Sequence, residues 1–477
     1  MDSLSVDSTT NGSIGSDRRD FSVDRNQKYK QGKQGMAAAA QYSVPMQQML
    51  CGDEVKAAIV DLGSCKMRFG TAGQDLPRHV FRADCGYLDG KCNGNDRKSV
   101  ISDVELRCVS ENVEIFNPFH VKDNNTEINW DILEDILKYG LVDCMRIDPL
   151  EYPIFLAESY FKSNKNKEKL IELMFETFRT PACYMASNAA LATFSAGRST
   201  SLVVDYGATS TRITPVIDGY ALSNSAIVTS RGGNTLDAIV RKECSDAQLS
   251  INPWYEHLPA YKTKKASISL REMFINDIIC DLKSHMCFIP HRPMLAASRD
   301  VVIQNLQIPP YELPDGTMIS HSDGLCTIPE RIFYKASDRV GKRSFSEMKS
   351  SVKMGLPPHM QEYGTQPDED TLTELVFTSL CKCDVDSRKD LIGNLVPTGG
   401  GSLIDGITQR LTWELTENYL PSTIKCKPAL QMPLERRNGA WIGGSILSIC
   451  GSFQQLWISK AEYQEYGNQI ISNRLLH

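Results

Sequence analysis

Apolar residues along the chain form two runs of strand length that share one design. In residues 55–68 and again in residues 201–213, an apolar run ends at an Asp, a Gly turn with a hydroxyl residue follows, and a second run alternates apolar and polar positions. A period of two interrupted by a Gly turn is typical of a strand–turn–strand hairpin. Neither copy has the residue order of a P-loop, and neither leads directly into a helix as a dinucleotide fingerprint does. The repeat predicts two similar domains that face each other across a cleft.

Helical spacing of apolar residues occurs between and after the two hairpins. It predicts helices over residues 130–137, 170–178, 185–196 and 404–415. The third of these is rich in Ala and ends at Gly197, and the last follows a run of three Gly at residues 399–401. Ser459, with Glu462 three residues later, has the pattern of a capping box and predicts a terminal helix.

Two segments lack the pattern of a packed core. Residues 1–52 are mostly polar with scattered apolar positions, so we expect a disordered N-terminal tail. Residues 335–371 contain Gly, Ser and the adjacent Pro357 and Pro358, with basic residues early and acidic residues late, which predicts a surface insertion. The insertion is either a partner-binding loop or a mobile solvated loop.

Composition and charge exclude several classes of protein. The 477 residues are 41% hydrophobic and 23% charged, as in ordinary globular proteins, and a net charge of −6 argues against general binding to nucleic acid or anionic membranes. Fifteen Cys without a C-x-x-C pair fit neither a disulfide framework nor a zinc ribbon, which favours a reducing compartment. Residues 438–459 are uncharged, but their Gly, Ser and Gln content argues against a membrane span, and the N-terminus lacks the order of a signal peptide. We therefore expect a soluble intracellular protein with no membrane partner.

The two Gly turns suit the binding of phosphate groups. A turn without side chains lets consecutive backbone N–H groups point into one concavity. Asp61 and Asp205, at the ends of the two first strands, are candidate ligands of a hydrated divalent cation that bridges phosphate oxygens. Arg68 on the returning strand is a candidate phosphate ligand. Taken singly, each Asp-x-Gly is also an ordinary hairpin turn, so the argument depends on the pair and on the third, Gly-rich loop.

Several longer motifs resemble those of actins. They comprise residues 60–78 with the first turn, 173–181, 311–316, 383–391, 435–437 with 441–446, and 453–463, and the resemblance spans residues 53–477. Residues 52–55 and the second turn at residues 205–209 are similar to those of the nuclear actin-related subunits of chromatin-remodelling complexes.

The resemblance implies an α/β, actin-like two-lobed fold, a duplicated ribonuclease H-like architecture with ATP or ADP and Mg²⁺ or Ca²⁺ between the lobes. It implies a small lobe formed by residues 53–195 and 439–477 and a large lobe formed by residues 196–438. The metal side would be formed by Asp61 and, through water, Asp205. The nucleotide-binding residues carried over by motif are Gly63, Ser64, Cys65, Lys66, Arg68, Asp205, Gly207, Thr209, Ser210, Lys283, Gly400, Leu403, Ile404 and Arg437.

Several positions depart from the actin pattern at the nucleotide site. Asn188 stands where actins have a Gln that orients the attacking water, and a small displacement of such a group costs on the order of 10²-fold in rate. Ala208 replaces an acidic residue, Arg212 a His and Ser284 a ribose-contacting Glu, and Tyr206 brings a bulky ring that would crowd the γ-phosphate. We therefore expect nucleotide binding with weak or absent hydrolysis, and no enzyme function.

The resemblance also implies partners. It favours a non-filamentous scaffold subunit of a nuclear chromatin-remodelling or histone-acetyltransferase complex, which docks on a helix of the remodelling ATPase beside a conventional actin monomer. Other chromatin-complex subunits would bind it too, and contact with nucleosomes would be indirect. The implied helix-binding groove is lined by Phe194, Gly197, Ile442, Ile446, Leu447 and Leu456.

Other functions remain open to different degrees. The main alternative is a filament-forming or chaperone-like actin-fold ATPase in the cytoplasm. A sugar kinase would need an Asp that deprotonates the substrate in a recognisable site, and the sequence has no such site. Zinc binding and cysteine catalysis are poorly supported, because the Cys and His residues lack ligand spacing.

Overall fold

The computed structural model describes residues 57–88, 99–100, 103–122, 125–158, 164–261, 265–293, 309–320, 323–334 and 370–470. The tail predicted at residues 1–52 and residues 335–369 of the predicted insertion lie outside these ranges. Thr371, the last residue of that predicted insertion, caps a helix through a capping box with Glu374.

The described strands, in chain order, are β1 (Ala58–Asp61), β2 (Lys66–Thr71), β3 (His79–Arg82), β4 (Cys85–Leu88), β5 (Ser99–Val100), β6 (Val113–Phe116), β7 (Phe119–Lys122), β8 (Asn125–Ile128), β9 (Ile154–Glu158), β10 (Ala182–Ser187), β11 (Ser201–Tyr206), β12 (Thr211–Ile217), β13 (Tyr220–Ala221), β14 (Ile227–Thr229), β15 (Tyr311–Glu312), β16 (Met318–Ile319), β17 (Leu395–Thr398) and β18 (Ile458–Ser459).

The described α-helices are α1 (Asp103–Leu106), α2 (Trp130–Lys138), α3 (Asn164–Glu172), α4 (Asn188–Ser195), α5 (Gly233–Asp246), α6 (Ile268–Met286), α7 (Asp323–Cys326), α8 (Leu372–Cys381), α9 (Val385–Ile392), α10 (Ile407–Glu414), α11 (Pro433–Ile449) and α12 (Lys460–Tyr466). Within the part of the chain that the structure describes, none of the helices has both the length and the apolar run that crossing a membrane requires.

Two large sheets repeat one arrangement. In the first, with strand order β18-β10-β9-β1-β2-β3, β1 pairs antiparallel with β2 and parallel with β9. In the second, β13-β12-β11-β17 with β14 paired to β12, β11 pairs antiparallel with β12 and parallel with β17. Both predicted hairpins are therefore confirmed, and each lies at the same place in its sheet. We call the parts of the chain around the first and second sheets the first and second lobe. The predicted α/β two-lobed, duplicated fold is confirmed.

Two helices pack tightly between the sheets. Helix α4 contacts β9 and β10 of the first sheet and β11 and β12 of the second, and α11 contacts β1, β9 and β17. The two helices also pack on each other, with Gly443 at their crossing: a Cβ there would lie 1.9 Å from the carbonyl oxygen of Leu191. Only a residue without a side chain allows this backbone-to-backbone approach. The predicted boundaries between the small lobe and the large lobe lie at the end of α4 and beside a kink of α11 at Asn438.

Two helix predictions need correction. Residues 185–187, predicted as helix, belong to β10, because this segment pairs with β9 inside the sheet, where Met185 and Ala186 are buried. Ile404, predicted on one face of a helix, lies before α10, since Gly406 adopts a left-handed conformation with φ 82° and the helix begins after it. The helix after Ser459 is confirmed, and its capping box with Glu462 is formed.

Candidate functional site

The two hairpin turns touch each other. The hydroxyl oxygens of Ser64 and Thr209 lie 3.3 Å apart, within hydrogen-bond distance. Both turns are too tight for a side chain at their Gly, since a Cβ would lie 2.4 Å from Lys66 O at Gly63 and 2.7 Å from Ser210 O at Gly207. The structure thus brings the candidate phosphate ligands of both lobes to one place.

The carboxylate of Asp61 is bound by protein groups. Arg68 Nη1 lies 2.9 Å from Asp61 Oδ2, and both side chains are nearly buried, with exposures of 12% and 6%. Arg68 Nε donates to Asn438 Oδ1 at 2.8 Å, at the kink of α11. Arg68 Nη1 also donates to the carbonyl oxygen of Lys66 at 3.4 Å, so protein groups hold the guanidinium in place.

Asn188 also reaches Asp61, from the start of α4, and donates a hydrogen bond to its carboxylate. Burial raises the pKa of Asp61, while the charge of Arg68 and these hydrogen bonds pull it back toward its ordinary range. Asn188 Oδ1 is buried without a hydrogen-bond partner among the described residues. A buried acceptor without a partner is costly, so this atom is suited to a water or a ligand donor.

Asp205 lies opposite Arg212 on the neighbouring strand. Burial raises the pKa of Asp205 to about 6, and the Asp61 carboxylate adds to the rise whereas Arg212 and Arg68 oppose it. The two predicted metal-side carboxylates are thus close enough to sense each other's charge. Among the described residues, no three His, Cys, Asp or Glu side chains form a group that could hold a metal ion.

The Gly-rich third loop closes against the second turn. A Cβ at Gly399 would lie 2.5 Å from Asp205 Oδ1, so the loop backbone contacts that carboxylate directly. The residues predicted around the base and ribose, Gly400, Leu403, Ile404 and Arg437, lie on this loop or at the start of α11, where Gly400 and Leu403 are exposed and the other two half-buried. Arg436, which the sequence did not single out, donates to the carbonyl oxygen of Ser402 at 3.1 Å.

Lys283 joins the site from α6. Its Nζ lies 2.6 Å from Asp237 Oδ1 and 3.3 Å from the carbonyl oxygen of Gly233. The N–H groups of Gly233 and Asn234 donate to carbonyl oxygens of the second turn, which places the start of α5 against that turn. Ser284 is exposed, and its hydroxyl donates to the carbonyl oxygen of Cys280 one turn earlier.

Tyr206 does not lie beside the predicted phosphate site. Its ring packs in the core of the second lobe with Leu202 and Val204, on the strand face opposite to Asp205. Successive residues of a strand point to opposite faces, so the carboxylate and the ring cannot share one. The expectation that Tyr206 crowds a γ-phosphate is therefore wrong. Of the remaining candidates, Cys65 is exposed, and Lys66, Thr209 and Ser210 are half-buried in the turns.

The two lobes are joined at a second place by what we call the interlobe contact, formed by residues 103–116 and 254–277. Leu106 is buried in an apolar cluster with Tyr255, Leu270, Met273 and Phe274. Backbone N–H groups cross the contact in both directions: Ile115 donates to Ser269 Oγ at 2.9 Å, and Ser267 donates to Ser110 O at 3.0 Å. The interlobe contact therefore combines buried apolar side chains with backbone hydrogen bonds, as the core of a protein does.

A polar chain connects the interlobe contact to the first turn. Asn117 Nδ2 donates at 2.9 Å to both Ser64 O and Asp84 Oδ1. Arg82 binds Asp84 at 2.8 Å and also forms an ion pair with Asp277 on α6 of the second lobe. The position of the first turn is therefore coupled to the closure of the lobes.

The residues predicted to line a partner groove lie on and around α4 and α11. Ile446 is 42% exposed, Gly197 is exposed with φ 66°, and Phe194, Ile442, Leu447 and Leu456 are half-buried. A Cβ at Gly219 would lie 2.8 Å from the ring of Phe194, so that ring is partly covered. Ile446 projects apolar surface into solvent rather than into the packed junction.

Four features of the site were not predicted from the sequence. They are the contact of Asn438 with Arg68, the contact of Asp237 with Lys283, the packing of the Gly232–Gly233 pair on the second turn, and the network around Arg82. A Gly pair between a strand and a helix is a readable signal for a close backbone approach. The others join residues far apart in the sequence and have no local pattern.

Comparisons with known proteins agree on one family. A family model described as Actin matches residues 52–476. The chain is 32% identical over 465 residues to actin-related protein 4 of Arabidopsis thaliana, covering 89% of this chain and 100% of the relative. It is 31% identical over 466 residues to actin-related protein 4 of Oryza sativa subsp. indica, with the same coverage. For actin-related protein 4 of Schizosaccharomyces pombe the identity is 29% over 425 residues, covering 87% of this chain and 96% of the relative.

Proposed function

The chain belongs to the actin family, and from this premise we propose that it is a non-filamentous scaffold subunit of a nuclear chromatin-remodelling or histone-acetyltransferase complex. It is an actin-related protein similar to proteins named actin-related protein 4. In this proposal it holds ATP or ADP between its lobes without appreciable turnover.

The observation that carries nucleotide binding is the meeting of the two Gly turns at Ser64 and Thr209. The turns leave no room for a Cβ and so present backbone to the cleft, which suits phosphate oxygens. Ser64, Lys66, Thr209 and Ser210 would hold the phosphates. Lys283 and the loop of Gly400, Leu403 and Ile404, with Arg437, would surround the ribose and base.

The position of Asn188 supports the proposal of weak hydrolysis. Its amide nitrogen is held by Asp61, and its buried Oδ1 is the acceptor that would face a water. The side chain is one methylene shorter than Gln, so the acceptor is withdrawn toward α4. A displacement of this size costs on the order of 10²-fold in rate.

The first experiment measures bound nucleotide and its turnover. Nucleotide released from the purified full-length protein by denaturation is identified by chromatography, and hydrolysis of labelled ATP is followed in a single turnover. We expect adenine nucleotide near one equivalent and very slow hydrolysis. Gly63→Ala, whose Cβ would collide with Lys66 O, should reduce the bound nucleotide, whereas Gly451→Ala, with open space around it, should not.

Asn188→Gln tests the hydrolysis argument directly. The longer side chain returns the acceptor toward the cleft, so the single-turnover rate should rise by on the order of 10-fold to 10²-fold. Wild-type protein that hydrolyses ATP as fast as filamentous actin, or that sediments as filaments, would favour the alternative of a filament-forming or chaperone-like ATPase.

The scaffold role rests on the apolar residues around α4 and α11. Ile446, with 42% of its surface exposed, suits contact with an amphipathic partner helix. The resemblance implies a helix of the remodelling ATPase, beside a conventional actin monomer and other chromatin-complex subunits, with indirect contact to nucleosomes. Ile446→Asp should abolish co-purification of these partners. Val385→Asp, at an apolar residue 73% exposed on α9, is the matched control. Normal assembly of a folded Ile446→Asp protein would place the partner helix elsewhere.

Localisation of the tagged full-length chain, with mass spectrometry of co-purified proteins, tests the nuclear assignment. Nuclear enrichment together with remodelling or acetyltransferase subunits is expected. Cytoplasmic protein that co-purifies with filament components would contradict the proposal.

A further inference from the structure

Each of the two carboxylates at the ends of the central strands lies opposite an arginine. In the antiparallel registers, Asp61 pairs with Arg68 and Asp205 pairs with Arg212, and in both cases the arginine follows seven residues later. Side chains directly opposite each other on antiparallel strands lie on the same face, with Cβ atoms about 4.5–5.5 Å apart. The arrangement is therefore duplicated together with the hairpins.

The first pair is a fully built contact. Arg68 Nη1 binds Asp61 Oδ2 at 2.9 Å, and Nε is bound by Asn438, so the guanidinium is held in one orientation. Asn188 donates a further hydrogen bond to the same carboxylate. A cation that used Asp61 would have to compete with both groups. Arg68 Nη2, for which the described residues offer no hydrogen-bond acceptor, still has two donors.

The second pair lies at the turn that meets the first. Arg212 Nε donates to Ser210 Oγ at 3.4 Å, and the adjacent Thr209 contacts Ser64 across the cleft. Both Arg212 and Asp205 are half-buried. The guanidinium is thus fixed beside the place where the two candidate phosphate turns converge.

The four side chains carry no net formal charge, since two carboxylates stand against two guanidinium groups. A hydrated Mg²⁺ ion bound beside a nucleotide takes its ligands from one or two carboxylates together with the phosphates. Here the Asp61 carboxylate is already bound by Arg68, and Asp205 lies opposite Arg212. Guanidinium groups are fixed positive charges with several donors in a planar fork, and they bind phosphate oxygens well. The donor set fits a polyphosphate better than a divalent cation.

We infer that Arg68 and Arg212 take the place of the divalent cation, so that this chain binds nucleoside triphosphate without Mg²⁺ or Ca²⁺. The inference rests on the proposed nucleotide binding and departs from the cation expected at Asp61 and Asp205. Arg68 and Arg212 are here nucleotide-binding residues that also neutralise the two carboxylates.

The main test compares ATP binding by the full-length protein, freed of nucleotide, in excess magnesium and in EDTA by isothermal titration calorimetry. We expect dissociation constants within about threefold of each other, because the arginines and not the metal neutralise the phosphates. A weakening of tenfold or more in EDTA would overturn the inference.

Variants separate the arginines from general charge effects. Arg212→Gln should weaken ATP binding in EDTA and restore part of it with magnesium. Arg68→Lys, which keeps a charge at the first pair, should do the same to a smaller extent. Arg292→Gln removes one charge from an exposed residue that is not among the candidate site residues and should change neither value. Arg212→Gln with the same cation-independent affinity as the wild type would contradict the inference.

A metal-only measurement keeps the inference testable if ATP does not bind. Manganese titrated into nucleotide-free protein is followed by electron paramagnetic resonance, which detects the free ion. The wild type should leave manganese free, whereas Arg212→Gln should gain a site. Stoichiometric manganese binding by the wild type, or no gain in the variant, would overturn the inference. Absence of ATP binding in both magnesium and EDTA would instead refute the proposed nucleotide function.

Discussion

Replacing Leu106 with Ala should loosen the interlobe contact without unfolding either lobe. Leu106 is 1% exposed and comes from the first lobe, whereas its apolar neighbours Tyr255, Leu270, Met273 and Phe274 belong to the second. Truncating a buried Leu to Ala costs about 2–5 kcal/mol through lost transfer energy and the cavity that remains. Helix α1 has only four residues, so part of this cavity can collapse, and a cost of about 2–3 kcal/mol is the appropriate part of that range.

The substitution destabilises the closed state of the interlobe contact by this amount. The equilibrium constant for opening of the contact should therefore rise by about 30–150-fold, since 1.4 kcal/mol corresponds to a factor of ten. Amide hydrogen exchange reports this directly, because the N–H groups of Ile115 and Ser267 are bonded across the contact. Their exchange should accelerate by this factor, while amides of β9 and β11 keep their protection.

The matched control is Leu137→Ala. Leu137 is fully buried in α2, away from the interlobe contact, and the substitution is chemically identical. It should lower the free energy of unfolding by a similar amount but leave the Ile115 and Ser267 amides protected relative to the rest of the chain. Equal acceleration at all amides in both variants would show that the lobes open only by global unfolding and would refute the reasoning.

Three further outcomes follow from the structure. Gly443→Ala should lower the free energy of unfolding by at least about 2 kcal/mol in thermal or urea denaturation, because its Cβ would meet the Leu191 carbonyl, whereas Gly451→Ala should be nearly neutral. Arg410→Met should cost about 3–5 kcal/mol in the same measurement, since it removes the cation that forms ion pairs with the buried carboxylates of Glu330 and Glu414. Asp205→Asn should stabilise the nucleotide-free protein by on the order of 1–3 kcal/mol near neutral pH. The pKa of Asp205 in the folded protein is about 6, above the ordinary 3.8, so the ionised carboxylate destabilises the fold above pH 6 and this penalty disappears as the pH falls toward 4. Denaturation of Asp205→Asn and wild type at two pH values should therefore show the stabilisation only at the higher pH.

The hairpins could be predicted because their pattern is local. An apolar run, an Asp, a Gly turn and an alternating run define both strands and the turn between them, and the terminal capping box is equally local. The error at residues 185–187 has the opposite origin, since an Ala-rich run favours a helix, but pairing with β9 decides the outcome. The strand face of Tyr206 was within reach of the sequence, because alternation places it opposite to Asp205.

Individual residues of the candidate site could be predicted from the sequence, but the contacts between them could not. The arginine seven residues after each Asp is visible in the printed sequence, but its meaning needs the register that aligns each pair. Asn438 accepts the hydrogen bond from Arg68 at the kink of α11. No local sequence pattern predicts a kink at that residue. The Arg82 network likewise joins three separate segments of the chain.

The helix pair α4 and α11 and the interlobe contact together limit how the two lobes can move relative to each other. A rigid body attached to another at one point can turn in any direction, but attachment at two separate points leaves only rotation about the line that joins them. The helix pair α4 and α11, which contacts strands of both sheets, is one such attachment, and the cluster around Leu106 is the other. The lobes of this protein therefore keep a single swivelling motion, and a hinge-like spreading of the cleft requires one attachment to break first.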